Sequence, residues 1–256
     1  MNWRFVSASV IGTSHARLSL PCQDDSFVAE TSGTDGQRYL VALASDGAGS
    51  ARYAEVGARL ACEVGGRFIV GELERGLGSV SELVPDLVVD VIRQAIQAKA
   101  EMLSAGMRDF ACTLVCAVVG ESVALFFQVG DGAIVIRRGA ELACVFWPES
   151  GEYANMTYFV TDESVQEHLH RVIEPAPDAL AVMTDGLQRL ALVFASESVH
   201  APFFEPMFSV LGATPEDDFT NLGHSLTEFL LSDQVNSRTD DDKTLIIATR
   251  PREVSE

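Results

Sequence analysis

Between residues 112 and 147 the chain makes four short apolar or β-branched runs, at 112–119, 122–129, 133–138 and 141–147, joined by connections of only two or three residues. A parallel crossover needs a dozen or more residues, so neighbouring runs are expected to pair as antiparallel hairpins. Further strands are predicted at residues 3–11, 26–31, 39–44, 179–183 and 243–249, each apolar or β-branched and most of them bounded by Gly, Asp or Ser turns. Strands outnumber helices and fall in meander-like groups. That pattern favours antiparallel sheets with helices packed outside over a doubly wound parallel sheet.

The helices are fewer. From about Arg52 to Val70, Val56, Leu60, Val64 and Phe68 recur at four-residue spacing, and Gly65-Gly66 is expected to weaken the last turns. Residues 80–105 carry an apolar stripe of Leu83, Val84, Leu87, Val88, Val91, Ile92, Ala95 and Ile96, with Pro85 expected near the first turn. Residues 187–195 and 216–232 also read as helical. No repeat, low-complexity block or long linker divides the 256 residues, so a single domain over 1–256 is expected.

Acidic residues outnumber basic ones by 37 to 18, and no Lys/Arg cluster stands out from the net charge of −19. Nucleic acid and anionic membranes are poor partners for such a field. No segment supplies the roughly 18 apolar residues of a membrane span, and the first ten residues lack a signal core. The five cysteines, at 22, 62, 112, 116 and 144, form neither an even set nor a Cys-x-x-Cys pair. They read as reduced core residues, with Cys112 and Cys116 on one strand face, and a reducing cytoplasm is the compatible compartment.

Aspartates recur at the ends of the predicted strands: Asp46 before Gly47, Asp131 before Gly132, Asp185 before Gly186, and Asp240-Asp241-Asp242 ahead of the last strand, with Gln23-Asp24-Asp25 ahead of the second. Taken singly, each has an ordinary reading. Asp131-Gly132 is a type I′ hairpin turn, Asp185-Gly186 a helix N-cap, Asp46-Gly47 a strand-to-helix turn, and the triple aspartate a solvated loop or edge gatekeeper. Taken together, rigid strand tips bearing carboxylates, with carbonyls freed by the following glycines, form an all-oxygen site for Mg²⁺ or Mn²⁺ if they meet at one end of a sheet assembly.

The ordered set Gln23-Asp24, Asp46-Gly47, Gly130-Asp131-Gly132, Thr184-Asp185-Gly186 and Asp241-Asp242-Lys243-Thr244 resembles the type 2C metal-dependent serine/threonine protein phosphatases, most of all their small bacterial stand-alone members. Gly12-Thr13-Ser14-His15, Pro21-Cys22-Gln23-Asp24 and Gly151-Glu152-Tyr153-Ala154-Asn155-Met156-Thr157 strengthen the narrower likeness, which covers about residues 5–249. The resemblance implies an α+β fold, a four-layer α-β-β-α sandwich of two antiparallel sheets. It implies hydrolysis of phosphoserine and phosphothreonine in proteins by water activated on two Mg²⁺ or Mn²⁺ ions, without a covalent enzyme intermediate. Asp46 then bridges the ions, the Gly47 carbonyl ligates one, Asp185 and Asp241 complete the first ion's carboxylates, Asp24 supports the site, and Asp131 helps hold a third ion found in some members. Asp242 and Gln23 sit behind the ligands. A cognate Ser/Thr kinase and a monomeric state accompany that picture.

Two departures bear on chemistry. Ala48 stands where many members carry a His proposed as leaving-group acid, and Ser19 where a phosphate-binding Arg is common; His15 and Arg17 are the nearby candidates for phosphate, against a reading as surface or structural residues. These departures motivate an alternative, a catalytically weak or inactive relative that binds phosphoproteins or a partner. A third reading, a serine hydrolase built on Ser14, lacks the closing glycine of a nucleophile elbow because position 16 is Ala. His168-x-His170 reads as a solvated face.

Overall fold

The computed structural model describes residues 3–77, 79–148 and 157–250. The first half of the chain forms β1 (Arg4–Val10), α1 (Thr13–Leu18), β2 (Asp24–Ser32), β3 (Arg38–Asp46), α2 (Ala54–Glu74), α3 (Pro85–Leu103), β4 (Leu114–Val119) and β5 (Val123–Val129). The second half forms β6 (Ala133–Arg138), β7 (Glu141–Cys144), β8 (His170–Pro175), β9 (Ala179–Met183), α4 (Gln188–Ala191), β10 (Leu192–Val193), β11 (Ser198–Val199), α5 (Ala201–Ala213), α6 (Phe219–Leu231), α7 (Asp233–Asn236) and β12 (Lys243–Thr249). Two five-stranded sheets result, ordered β1-β12-β9-β6-β7 and β2-β3-β4-β5-β8, with every neighbouring pair antiparallel.

Alternation along the strands builds three apolar layers. On β3, Leu40, Ala42 and Ala44 point between the sheets, where they share a cluster with Val115, Phe126, Ile134, Val182 and Ile246. Tyr39, Val41 and Leu43 point the other way, into a cluster with Ala61 and Ile69 of α2 and Val88, Ile92 and Ile96 of α3. The outer face of the other sheet packs Val135, Ala181 and Leu245 with Phe204, Phe208 and Leu211 of α5 and Leu226 and Leu230 of α6. Helices thus cover both outer faces, giving the α-β-β-α sandwich. With both faces of each central strand buried, the strands read as continuous apolar runs instead of alternating ones, as burial on two faces requires.

One expected hairpin is absent. β5 and β6 belong to different sheets, and Gly130-Asp131-Gly132 carries the chain from one sheet to the other. A type I′ turn needs positive φ at both central residues; here the positive φ, 99°, falls on Gly130. Gly132 is glycine because of crowding: a Cβ there would lie 2.3 Å from Cγ2 of Val115 and 2.8 Å from the carbonyl oxygen of Met183. The Asp131-Gly132 hairpin reading is therefore overturned.

Other differences are local. Helix α2 runs on through Gly65-Gly66 to Glu74, because the missing side chains admit Ile92 and Leu43 against Gly65 and the ring of Phe27 against Gly66. Pro85 takes the first turn of α3 as expected, but Val84 and Leu87 of the predicted stripe are exposed, and Pro85, Val88, Val89, Ile92, Ile96 and Ala100 form the buried face. The helix expected over 187–195 ends at Ala191, and Leu192–Val193 pairs with Ser198–Val199. Edge strand β8 and helix α5 were not foreseen: β8 has only a weak burial pattern, and α5 carries Pro202 in its first turn and Pro206 inside.

Gly132→Ala is expected to lower stability by about 1–3 kcal/mol through overpacking. Gly223→Ala, in α6 with nothing within 4 Å of the new Cβ, is expected to raise it by about 0.5–1 kcal/mol. Denaturant midpoints of the two variants against the parent check both signs.

Candidate metal centre

The topology brings the separated aspartates to one end of the sandwich. In one sheet β2 begins and β3 ends side by side, so Asp24 lies directly across from Asp46. In the other, Ala133 of β6 and Leu245 of β12 both pair with Met183 near the end of β9. Asp131, Asp185 and Asp241 therefore lie just beyond the same sheet end. The two sheets touch there, with Thr184 Oγ1 donating to Asp24 Oδ2 at 2.6 Å. Thr184 Oγ1 also accepts the Thr244 N–H at 3.0 Å, which ties β9, β12 and β2 at one hydroxyl.

Behind the cluster stands Asp242, only 2% exposed. Its Oδ1 accepts the Gly12 N–H and its Oδ2 the Gln23 N–H, both at 2.6 Å, and His15 Nδ1 lies 2.9 Å from Oδ2. The Gln23 carbonyl in turn accepts the Gly47 N–H at 3.0 Å, which fixes the backbone just after Asp46. Asp46 is held further by Thr113, whose hydroxyl accepts the Asp46 N–H at 3.0 Å and whose N–H donates to the Asp46 carbonyl at 2.8 Å. Gly186 lets two motifs meet, since a Cβ there would lie 2.0 Å from the Asp242 carbonyl oxygen. Lys243, fully buried, donates from Nζ to Asn236 Oδ1 at 2.9 Å and to the Asp241 carbonyl at 3.2 Å.

The carboxylates repel one another. Burial, then the charges of Asp24 and Asp185, push Asp46 far above the usual carboxylate range. Burial is also the main cause that raises Asp24. Asp185 is pushed up to about 8 by burial and by Asp131, Asp241 and Asp24. Asp241 is raised by burial too, although its side chain reaches the surface. None of the main influences on Asp46 or Asp185 is a basic side chain. Among the described residues no three His, Cys, Asp or Glu side chains already encircle one ion-sized point; the aspartates adjoin as pairs and repelling neighbours. Asp131 Oδ2 accepts from Thr157 Oγ1 at 2.7 Å, while its buried Oδ1 has no hydrogen-bond partner. An all-carboxylate and carbonyl set with an orphaned buried oxygen fits a hard divalent cation.

Comparison with known proteins decides the family. Residues 11–231 match the family model for protein phosphatase 2C. The chain belongs to the protein phosphatase 2C family. Serine/threonine-protein phosphatase 3 of Escherichia coli (strain K12) is 39% identical over 249 residues, covering 97% of this chain and 98% of that protein. The crystal structure of a bacterial serine phosphatase shares the fold at a TM-score of 0.64 and 16% identity, covering 99% and 100% of the two chains. The catalytic domain of the serine threonine protein phosphatase PstP, solved in complex with two manganese ions, matches at 0.61 and 16% identity, covering 98% and 99%.

The other expected site residues of this phosphatase 2C chain fall as follows. Arg17 is exposed in the last turn of α1. His15 is engaged by Asp242 through Nδ1. Ser14 Oγ donates to the Asp240 carbonyl at 2.7 Å, a structural use that leaves no nucleophile–base pair for a serine hydrolase. Asp240 itself is exposed and Ala48 is buried. Residues 151–156 of the stretch that strengthened the resemblance lie outside the described residues. His168 stacks on Tyr158 with ring centroids 3.4 Å apart. All five cysteines are free thiols, and burial pushes them up, Cys112 to about 12, which argues against thiolate chemistry. Sequence reasoning missed Thr113 and Gln188, the latter donating from Nε2 to the Asp131 carbonyl. Nothing in their spacing marks them. Thr184 and Thr244 stood inside motifs already singled out.

Carboxylates raised in the folded state bind more protons than the unfolded chain does above about pH 4, so stability falls as pH rises through the window toward the folded value, about 8 for Asp185. In a chelator, the melting temperature is therefore expected to drop between pH 5 and pH 8, and millimolar Mn²⁺ at pH 8 to restore it; calorimetry in the three conditions checks this. Asp242→Ala leaves the Gly12 and Gln23 N–H groups unpaired and is expected to cost about 2–6 kcal/mol, at roughly 1–3 kcal/mol per buried donor, read from urea unfolding.

Proposed function

We propose that the strand-tip cluster is the metal centre of a serine/threonine protein phosphatase, with Asp46, Asp185 and Asp241 as the catalytic carboxylates. The observation that carries this reading is the gathering of Asp24, Asp46, Asp131, Asp185 and Asp241 from both sheets at one end of the sandwich, where neighbouring aspartates raise Asp46 and Asp185. Asp46 and the Gly47 carbonyl, Asp185 and Asp241 would hold two Mg²⁺ or Mn²⁺ ions, with Asp24 in support and Asp131 toward a third. When bound, such ions supply the positive potential that a phosphoryl group requires and the acidity that makes water a nucleophile near neutral pH.

The chain's own residues do the rest. A phosphoserine carries close to two negative charges, and the carboxylate cluster would repel it. The rigid tips of β3, β9 and β12 fix where the ligands stand, and Asp242, Gln23, Thr113 and Thr184 hold them from behind. Ser14 and His15 tie α1 to the Asp240–Asp242 loop, and Arg17, exposed in the last turn of that helix, would meet the phosphate together with His15. With Ala48 buried, the leaving oxygen takes its proton from solvent at the centre. The substrates are phosphoserine and phosphothreonine proteins, the products of a Ser/Thr kinase, and the enzyme acts as a monomer in the cytoplasm.

Asp46→Asn and Asp241→Ala are each expected to lower kcat/KM for a phosphothreonine peptide with Mn²⁺ by about 100-fold or more, a loss of ~2.7 kcal/mol in the barrier term. Asp240→Ala, in an exposed residue, should stay within about twofold. Equal losses at 240 and 241 would overturn the assignment, and tight Mn²⁺-dependent phosphopeptide binding without phosphate release would favour a binding module.

A further inference from the structure

A cavity of about 860 Å³ opens on the far side of the β1-β12-β9-β6-β7 sheet from the other sheet, enclosed by α4, α5, α6 and α7. Its floor is core: Val6 of β1 and Ile247 of β12 line it together with Phe203 and Leu226 of the helices. Well-packed interiors contain few voids larger than a water molecule, whereas sites for small ligands commonly measure about 300–1,000 Å³. The mouth is apolar as well, since Val193, Phe194 and Val210 line the cavity and are 38%, 41% and 51% exposed.

Charge selects the occupant. The chain holds 37 acidic residues, yet none lines this cavity, while Arg189 and Arg238 both do. Both arginines are exposed, and neither side chain has a hydrogen-bond or ion-pair partner among the described residues. On a surface this acidic, two guanidinium groups left unpaired at an apolar cavity present a site for one anionic head attached to an apolar body. A peptide segment fits less well, because the floor lies down among the buried side chains of the helix layer.

We propose that the cavity binds an amphiphilic anion, with a single apolar chain lying among Leu192, Phe203, Met207 and Leu222 and a carboxylate or phosphate head on Arg189 and Arg238. The site backs onto the metal centre. Arg189 follows Gln188, which donates to the Asp131 carbonyl, and Arg238 follows α7, whose Asn236 accepts from the Lys243 ammonium that also reaches the Asp241 carbonyl. A ligand there touches the two segments that carry Asp185 and Asp241.

The test uses the full chain in a chelator, so that it does not depend on phosphatase activity. Displacement of bound 1-anilinonaphthalene-8-sulfonate is measured with dodecanoate, dodecyl phosphate and dodecanol, all kept below their micelle-forming concentrations. Dodecanoate and dodecyl phosphate are expected to displace the probe at micromolar concentration, and their ratio shows which head is preferred. Dodecanol should be at least tenfold weaker. Arg238→Glu should weaken both anions about tenfold with dodecanol unchanged, and Met207→Trp, which fills the cavity, should weaken all three while the melting temperature holds. Equal binding of dodecanol and dodecanoate, binding unaltered in both variants, or binding to anionic vesicles with none to monomeric amphiphile would overturn the proposal.

Discussion

The buried carboxylate of Asp242 accepts two backbone N–H groups, from Gly12 and from Gln23, and the placement of the strand tips hangs on that acceptor. A carboxylate so deeply buried is tolerable only where hydrogen bonds replace its water, and here the donors come from the ends of two segments that belong to different sheets. Gln23 passes the constraint on, because its carbonyl takes the Gly47 N–H at the end of β3. The loop before β12, the loop after β1, the start of β2 and the end of β3 are thereby fixed to one another. Repelling carboxylates can stay close only where the backbone that bears them cannot retreat.

The sandwich supplies that resistance. β3, β9 and β12 are central strands whose two faces are both buried, and the clusters on either side leave no room for a strand to slide. In an antiparallel sheet a slip of one residue would turn every inward side chain outward. The register that seats Leu40, Ala42 and Ala44 between the sheets is thus the same register that sets Asp46 across from Asp24. Stability and site geometry are fixed by one pattern, with the apolar residues carrying the energy and the aspartates placed at the ends where water can reach them.

Much of this was legible in the sequence. The antiparallel sheets with outer helices followed from short connections, and the strand tips that bear the aspartates at 24, 46, 131, 185 and 241 lie at one end of the sandwich. What stayed hidden depends on contacts between residues remote in the chain. Thr184 donating to Asp24 spans 160 positions, and Gln23 donating to Asp242 spans 219. No local pattern encodes such a pairing. Helix α5 was lost to its prolines, which propensity treats as breakers although Pro202 lies in a first turn where its missing N–H costs nothing. The Gly65-Gly66 pair was misjudged for a related reason: it costs helix propensity and is repaid by close packing on Phe27 and Ile92.

The misread turn and the candidate metal centre have one cause. Local rules make Gly130-Asp131-Gly132 a hairpin, and a hairpin would have laid β6 against β5 in the same sheet. β6 instead pairs with β9, with Ala133 opposite Met183, and Gly132 is pressed against the Met183 carbonyl and Val115 of the facing sheet. The connection must therefore cross between the sheets at the end where Asp185 and Asp46 already stand. A side chain on that crossing faces the space between the sheet ends, and Asp131 keeps a buried oxygen there without a partner. The polar residue that turn chemistry explains as a turn former is thus held, by sheet assignment alone, beside the carboxylates of the other strand tips, where its charge raises Asp185.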